Sequence, residues 1–222
     1  LGSTESTGTF DEGKALLADC QKIVNSYVTT TPQGEWYKQI LATIDESGGL
    51  YSNTSKISTF AALFSLAIGV GKPEDLAMAG MLCDIGLTMI PEDILKKSDK
   101  ERSPSETEAY RKHIDYTFDL IKKRKIVLSE KISKIIQQHH ERFDGSGYPK
   151  GVLGNKILKE AQLLGIADDF SELIAVKPGR KRLGPLEVIE QMKKENASDP
   201  AKMKYDQDIL IQLHKLFSEQ ER

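Results

Sequence analysis

Residues 139–151 read HHERFDGSGYPKG, and this stretch predicts the end of a helix followed by a loop. Three glycines and one proline within residues 141–151 exclude a helix or a central strand, so a loop is predicted there. The pattern before the loop predicts a helix over 129–140, with His139 and His140 at its end. Neighbours on a helix point about 100° apart, so the pair can bind one ion only if the second side chain turns away where the helix ends.

Apolar residues at helical spacing continue on both sides of this loop. They predict helices over 54–69, 104–125, 158–175, 185–195 and 206–218, with shorter ones after Pro73 and Pro91. The sequence SPSE at 103–106 is a strong helix-start signal. No stretch alternates at a period of two for long enough to form a sheet, and no internal repeat is present. The predicted fold class is all-α, a helical bundle with an N-terminal helical extension.

The chain is expected to have three parts. Residues 1–12 are small and polar, and are expected to be disordered or a tag remnant. Residues 13–50 are expected to form a helical lead-in, and residues 51–222 the main domain.

Composition narrows the class of protein. The chain has 222 residues, of which 39% are hydrophobic, and its 31 basic and 33 acidic residues give a net charge of −2. No global field would therefore draw it onto nucleic acid or an anionic membrane. The longest apolar stretch, 60–70, is shorter than the roughly 20 residues that span a bilayer, and a cytoplasmic location is expected. Cys20 and Cys83 are too few for a disulfide framework and are expected to be reduced.

Few side chains are available for metal chemistry, since the chain has only four histidines. Two acids stand in apolar surroundings, where metal coordination is one way to compensate a buried charge. A mixed set of nitrogen and oxygen ligands suits zinc, iron or manganese. Roles without a metal stay open, because an acid can cap a helix or pair with a cation, and a histidine at a helix end complements the helix dipole. His214, on an apolar helix face, is predicted to be a packing or surface residue. The candidates are Asp84, Asp168, His113, His139 and His140.

The eleven residues 139–149 resemble the signature loop of the HD-GYP family, a branch of the HD phosphohydrolases. Cys83-Asp84 and the residues after it resemble the HD motif, and the likeness runs from about 52 to 217. The resemblance implies an HD-type helical bundle that hydrolyses the bacterial second messenger cyclic di-GMP at a two- or three-metal centre, usually of iron or manganese. It also implies contacts between the signature loop and GGDEF proteins, which synthesise the messenger. The signature residues are Asp144, Gly145, Gly147, Tyr148 and Pro149.

The resemblance implies two neighbouring metal sites, of which one is complete. Its ligands are Asp84, His113, His139 and His140. The other site needs two further histidines, where this chain has Thr54 and Cys83, and keeps only Asp84 and Asp168. Leu87 stands where the family has lysine, and Leu50 where some members have glutamate. One divalent metal (iron, manganese or zinc) is therefore expected, and the second site is half dismantled.

Two further sites have alternative interpretations. Cys83 as a thiolate is a good zinc or iron ligand, whereas as a thiol it is a small apolar residue in a buried helix, which we favour. The resemblance implies that Lys177 and Arg180 contact nucleotide phosphates, although such a basic turn is also commonly a solvated one. Lysine at 177 keeps the charge but loses the two-pronged contact of arginine. Gly179 replaces an aromatic residue of the family.

The sequence supports two hypotheses for the function of the chain. The first is a degenerate HD-GYP protein with one retained metal, acting as a cyclic di-GMP-related signalling module with weak or no hydrolysis. Removing one preorganised electrostatic donor costs on the order of 10² to 10³ in rate, which favours this hypothesis. The second is an active metal-dependent cyclic di-GMP phosphodiesterase in which Cys83 substitutes for the HD histidine. An HD hydrolase of another nucleotide, or a structural helical module without metal, stays open. No catalytic residue is assigned.

Overall fold

The computed structural model describes residues 50–175, 182–197 and 202–220. Within these ranges the chain forms helices and no β-strand, which confirms the all-α prediction. Short 3₁₀ helices cover Ile85–Met89 and Gly154–Lys156. The α-helices are α1 (Leu50–Ile68), α2 (Pro73–Leu82), α3 (Glu92–Leu95), α4 (Pro104–Arg111), α5 (His113–Lys123), α6 (Glu130–Gln138), α7 (Lys159–Ile174), α8 (Pro185–Ala197) and α9 (Gln207–Gln220).

Several predicted features lie outside these ranges. They are the polar segment 1–12, the helical lead-in up to residue 49, Cys20, and the basic turn with Lys177 and Arg180. The domain boundary at residue 51 stays a prediction.

An aromatic cluster forms the centre of the core. Phe60 and Phe64 of α1 meet Phe170 of α7 edge to face, with ring centroids 5.0 and 5.2 Å apart. Phe217 of α9 lies 6.0 Å from Phe64, and all four rings are fully buried. Burial of such large apolar side chains is the main favourable contribution to folding, so this cluster fixes α1, α7 and α9 against one another.

The predicted helix over 104–125 is wrong in one respect, because it is divided at Lys112. Its start is as expected: the Ser103 hydroxyl accepts the Glu106 N–H, and the Glu106 carboxylate accepts the Ser103 N–H. At the division, Nδ1 of His113 donates to the carbonyl of Tyr110 at 2.8 Å. The imidazole thus competes for a carbonyl of the helix, and apolar spacing, which continues through 112, does not reveal this.

The predicted helix over 129–140 also ends early, at Gln138. His139 and His140 form the turn that follows. Asp84 likewise follows the end of α2, after Cys83, and His113 is the first residue of α5. Four of the five candidate ligands therefore stand at helix ends, where backbone direction changes and side chains from different helices can converge.

Candidate metal centre

Three helix ends bring four candidate ligands together. One ligand atom from each of Asp84, His113, His139 and His140 lies within 4.8 Å of the other three. Oδ1 of Asp84 is 3.7 Å from Nε2 of His113 and 3.7 Å from Nε2 of His139. The turn after α6 lets both adjacent histidines face this point, as the sequence required. All four residues are buried.

The imidazoles are oriented as metal ligands usually are. Nδ1 of His139 donates to the carbonyl of Ile136 at 2.6 Å, just as Nδ1 of His113 donates to Tyr110. A carbonyl can only accept, so Nδ1 carries a proton in both rings, and in the neutral form of each ring Nε2 keeps its lone pair. Nε2 of each of the three histidines is buried and hydrogen-bonded to no described residue. Metal ligation would relieve the cost of three buried, unpartnered acceptors, so the residues fit one divalent cation.

The electrostatics favour the protonation states that a metal requires. Burial lowers the pKa of His113 and lowers that of His140 strongly, so both rings favour the neutral form. Burial acts to raise the pKa of Asp84, but the facing rings of His139 and His113 outweigh it and the pKa is lowered. A neutral His113, a neutral His140 and an ionised Asp84 are the ligand forms of a divalent metal site.

Backbone contacts hold Asp84 opposite His113. The Thr117 hydroxyl of α5 donates to the carbonyl of Cys83 and accepts the N–H of Gly86, both at 3.0 Å. A Cβ at Gly86 would lie 2.0 Å from the carbonyl oxygen of His113, so only glycine permits this approach. The turn after α2 is thereby fixed to the start of α5.

The turn after α6 is fixed to α7 in a similar way. A Cβ at Gly165 would lie 2.3 Å from the carbonyl oxygen of His139. The mostly buried guanidinium of Arg142 donates to that same carbonyl at 2.9 Å and to Asp169 of α7 at 2.9 Å. These contacts position His139 without touching its imidazole.

The signature loop folds tightly because its small residues permit it. Oδ1 of Asp144 accepts the N–H of Ser146 at 2.9 Å, and Gly145 has a φ of +78°, in the left-handed region that favours glycine. A Cβ at Gly147 would lie 2.3 Å from the amide nitrogen of Arg142. The predicted loop is therefore present, and both glycines are sterically required.

Glu141 closes the base of the loop. Its carboxylate is buried and accepts hydrogen bonds from the backbone N–H groups of Lys150 and Val152, each at 2.8 Å. Two backbone N–H groups on one carboxylate compensate its burial and hold the outgoing chain beside the histidines.

Tyr148 faces inwards and Pro149 outwards. The N–H of Tyr148 donates to the carbonyl of His140 at 3.1 Å, and its ring stacks on the His140 ring with centroids 4.6 Å apart. Pro149 follows through a cis peptide bond and is exposed. The loop therefore contributes a wall to the histidine cluster.

The neighbouring site is not assembled in the same way. Neither Cys83 nor Asp168 belongs to the cluster of four. Sγ of Cys83 is fully buried and donates to the carbonyl of Gly80 at 3.5 Å, and burial raises the pKa of this thiol well above its ordinary value. Oδ2 of Asp168 lies 3.8 Å from Nδ1 of His140, and burial, with the nearby charge of Asp84, raises the pKa of this carboxyl.

Other positions where the chain departs from the family pattern are apolar or uncharged. Leu87 is buried in a small cluster with Ile90 and Ile94. Thr54 is buried in α1, and the side chain of Leu50 lies outside what the structure describes.

A cleft of about 790 Å³ has Leu87 and Tyr110 in its wall. The Tyr110 ring lies 5.3 Å from the His113 ring, and the guanidinium of Arg102 covers it at 3.8 Å. The cleft is lined by both cations and acids, among them Lys96, Lys100 and Asp169. It adjoins the candidate metal site through Tyr110, although none of the four candidate ligands lines it.

Sequence reasoning missed the residues that support the ligands. Thr117, Glu141 and Arg142 act mainly on backbone atoms, and Tyr110 acts through its ring. Apart from Glu141, none belongs to a residue type that metal chemistry singles out. The one available signal is position, since Glu141 and Arg142 stand directly after the two histidines.

The HD domain family matches residues 35–207, and the chain belongs to this family. Its relatives and the signature loop place it in the HD-GYP branch, which confirms the resemblance. In the described part of the chain, no helix is long and apolar enough to cross a bilayer.

Two curated relatives illustrate the likeness in sequence. The chain is 31% identical over 133 residues to the cyclic di-GMP phosphodiesterase response regulator RpfG of Xanthomonas campestris, covering 59% of this chain and 35% of the relative. It is 32% identical over 133 residues to 3'3'-cGAMP-specific phosphodiesterase 1 of Vibrio cholerae, covering 59% and 30%. The chain thus spans about a third of the length of these relatives.

One solved structure illustrates the likeness in fold. It is Bd1817, an HDG"Y"P protein from Bdellovibrio bacteriovorus, which superposes with a TM-score of 0.60. The identity is 15%, and the match covers 98% of this chain and 75% of that one.

Proposed function

We propose that residues 51–222 form a degenerate HD-GYP domain that binds one divalent metal and acts in cyclic di-GMP-related signalling with weak or no hydrolysis. One observation carries the proposal, a contrast between two adjacent sites. Three unpartnered imidazole nitrogens converge with Asp84 at the first. At the second, the Cys83 thiol donates to a backbone carbonyl, and burial raises its pKa.

The chemistry of a single site is limited. A divalent cation there would attract a phosphate oxygen as a Lewis acid. The chain itself would orient His113 and His139 through their carbonyl partners and supply the negative charge of Asp84. Two-metal phosphodiesterases stabilise both the attacking and the leaving oxygen, and the described residues of this chain supply a complete ligand set for one cation.

The side chain at position 87 further weakens catalysis in this proposal. Leu87 is buried among apolar neighbours and offers no charge to a phosphoryl group. Loss of one such donor costs on the order of 10² to 10³ in rate, so loss of the donor and of one cation together would cost about 10⁴ or more.

The ligand we propose is a cyclic dinucleotide, cyclic di-GMP or a related one. The names of the relatives support this class, and the cleft of about 790 Å³ falls in the size range of small-molecule sites. We propose that Lys177 and Arg180 meet its phosphates and that the signature loop docks GGDEF-type proteins.

The alternative is an active phosphodiesterase in which Cys83 replaces the missing histidine. Names of relatives favour it, because they are phosphodiesterases. The position of Cys83 directly before Asp84 is compatible with it, whereas its bond to the Gly80 carbonyl argues against it.

Metal counting and hydrolysis assays distinguish the two. Protein purified without chelator is expected to hold one metal per chain. With excess Mn²⁺ or Fe²⁺ it should hydrolyse cyclic di-GMP and 3'3'-cGAMP at least about 10⁴-fold more slowly than a two-metal relative assayed alongside. Turnover near that of the relative would overturn the proposal. Two metals in the wild type and one in Cys83→Ala, with Cys20→Ala as the control, would establish the alternative.

A further inference from the structure

The third histidine of the cluster is held differently from the other two. His113 and His139 each donate Nδ1–H to a backbone carbonyl. Among the described residues, Nδ1 of His140 has no partner at hydrogen-bond distance, since Oδ2 of Asp168 is 3.8 Å away. Ring contacts therefore hold the plane of this imidazole in place of a hydrogen bond to a described residue.

A stack of three groups performs that task. The Tyr148 ring is inclined by only 22° to the His140 ring, with centroids 4.6 Å apart. The guanidinium carbon of Arg111 lies 4.9 Å from the centroid of the Tyr148 ring. The Tyr148 ring is thus in contact with both a buried imidazole and a cation.

The position and the charge of Arg111 are suited to contact with the Tyr148 ring. It is the last residue of α4, one position before the division at Lys112, and its side chain is exposed. It makes no ion pair or hydrogen bond with any residue in the described ranges, so no carboxylate competes with the ring for its charge. A cation over the face of a tyrosine is attracted by the ring's negative face.

We propose that Arg111 is a positioning residue that holds Tyr148 against His140, and that metal affinity therefore depends on where the signature loop lies. The proposal rests on the metal site of the proposed function. It assigns the loop a second role besides docking, since any displacement of Tyr148 releases the ring plane of His140.

Cobalt binding tests this with the full chain stripped of metal. Co²⁺ reports its ligand geometry through its visible absorption, and competition with a chelating dye gives its affinity. Arg111→Ala should weaken Co²⁺ binding about two- to five-fold and alter the spectrum, as expected for loss of one exposed cation–π contact. Tyr148→Leu should weaken it more. Arg111→Lys should recover part of the loss, and Tyr148→Phe should bind normally because the ring remains.

The controls separate this role from a structural one. Arg124→Ala removes an exposed arginine at the end of α5 and should leave Co²⁺ affinity unchanged. The metal-free Arg111→Ala protein should stay folded, with a thermal midpoint lowered by no more than a few degrees, as for loss of one exposed cation–π contact. Wild-type affinity and spectrum in both Arg111→Ala and Tyr148→Leu would overturn this inference and leave the metal site intact. Absence of Co²⁺ binding in the wild type would overturn the inference and the proposed function together.

Discussion

The carbonyl oxygen of His113 lies so close to Gly86 that a Cβ on residue 86 would stand 2.0 Å from it. This contact joins the turn that carries Asp84 to the helix that begins with His113. The separation of these two ligands is therefore set by backbone packing, and neither side chain takes part in setting it.

Gly86→Ala should separate the two ligands. The added methyl overlaps backbone atoms that cannot move independently, and overpacking of this kind typically costs about 1–3 kcal/mol. The thermal midpoint should fall by several degrees and the metal content should drop below that of the wild type. Gly184→Ala is the matched control, because a Cβ there meets only Glu187 at an ordinary 3.7 Å. An unchanged midpoint and metal content in Gly86→Ala would show that the contact is not needed.

Replacement of a single ligand should abolish stoichiometric metal. His139→Ala removes one of the three unpartnered nitrogens, and Asp84→Asn removes the charge at their centre. Elemental analysis should show well under one metal per chain in each. His214→Ala should keep the wild-type metal content, because His214 lies in α9 near Glu190 and outside the cluster. Full metal content in His139→Ala would contradict the assignment of this residue.

Restoring the missing groups should restore catalysis. The triple variant Thr54→His, Cys83→His, Leu87→Lys supplies two imidazoles and one cation at the positions where the family has them. We expect a second metal per chain and a gain in cyclic di-GMP hydrolysis of at least about 10²-fold, the size associated with one electrostatic donor. Leu87→Met, which keeps an apolar side chain, is the control. A folded triple variant with one metal and no gain would show that other features of the chain prevent hydrolysis.

The stability that Glu106 contributes at the start of α4 should be lost in acid. A hydrogen bond from Lys97, with the N–H of Ser103, lowers the pKa of Glu106 from 4.5 to about 2. As pH falls, the unfolded chain takes up this proton first, so the stabilisation is complete above pH 4.5 and is lost between pH 4.5 and about 2. The difference in thermal midpoint between wild type and Glu106→Gln should therefore shrink over this interval. Glu108→Gln, exposed on the same helix, is the control. A difference that stays constant from pH 6 to pH 3 would contradict the assignment.

The cluster of Asp84 and three histidines could be predicted from the sequence because metal chemistry depends on residue type. Few residue types bind divalent metals, and the chain has only four histidines, so His113, His139 and His140 stand out without any knowledge of the fold. The loop was equally predictable, because glycine and proline restrict the backbone locally.

The supports of the site could not be predicted in this way. Thr117 bonds to the amide of Gly86, 31 positions earlier in the chain, through a hydroxyl that no local pattern distinguishes. The division at Lys112 was missed because apolar spacing continues through it, while the imidazole of His113 takes a helix carbonyl. Both depend on partners that only the tertiary fold brings together.

The carboxylate of Glu141 has an evolutionary consequence. Because it accepts the backbone N–H groups of Lys150 and Val152, any residue except proline at position 150 preserves the clamp. The exposed side chains of Ser146 and Lys150 can therefore diversify while the imidazoles keep their places. The tip of the loop can thus vary in sequence while the cluster of candidate ligands beneath it stays in place.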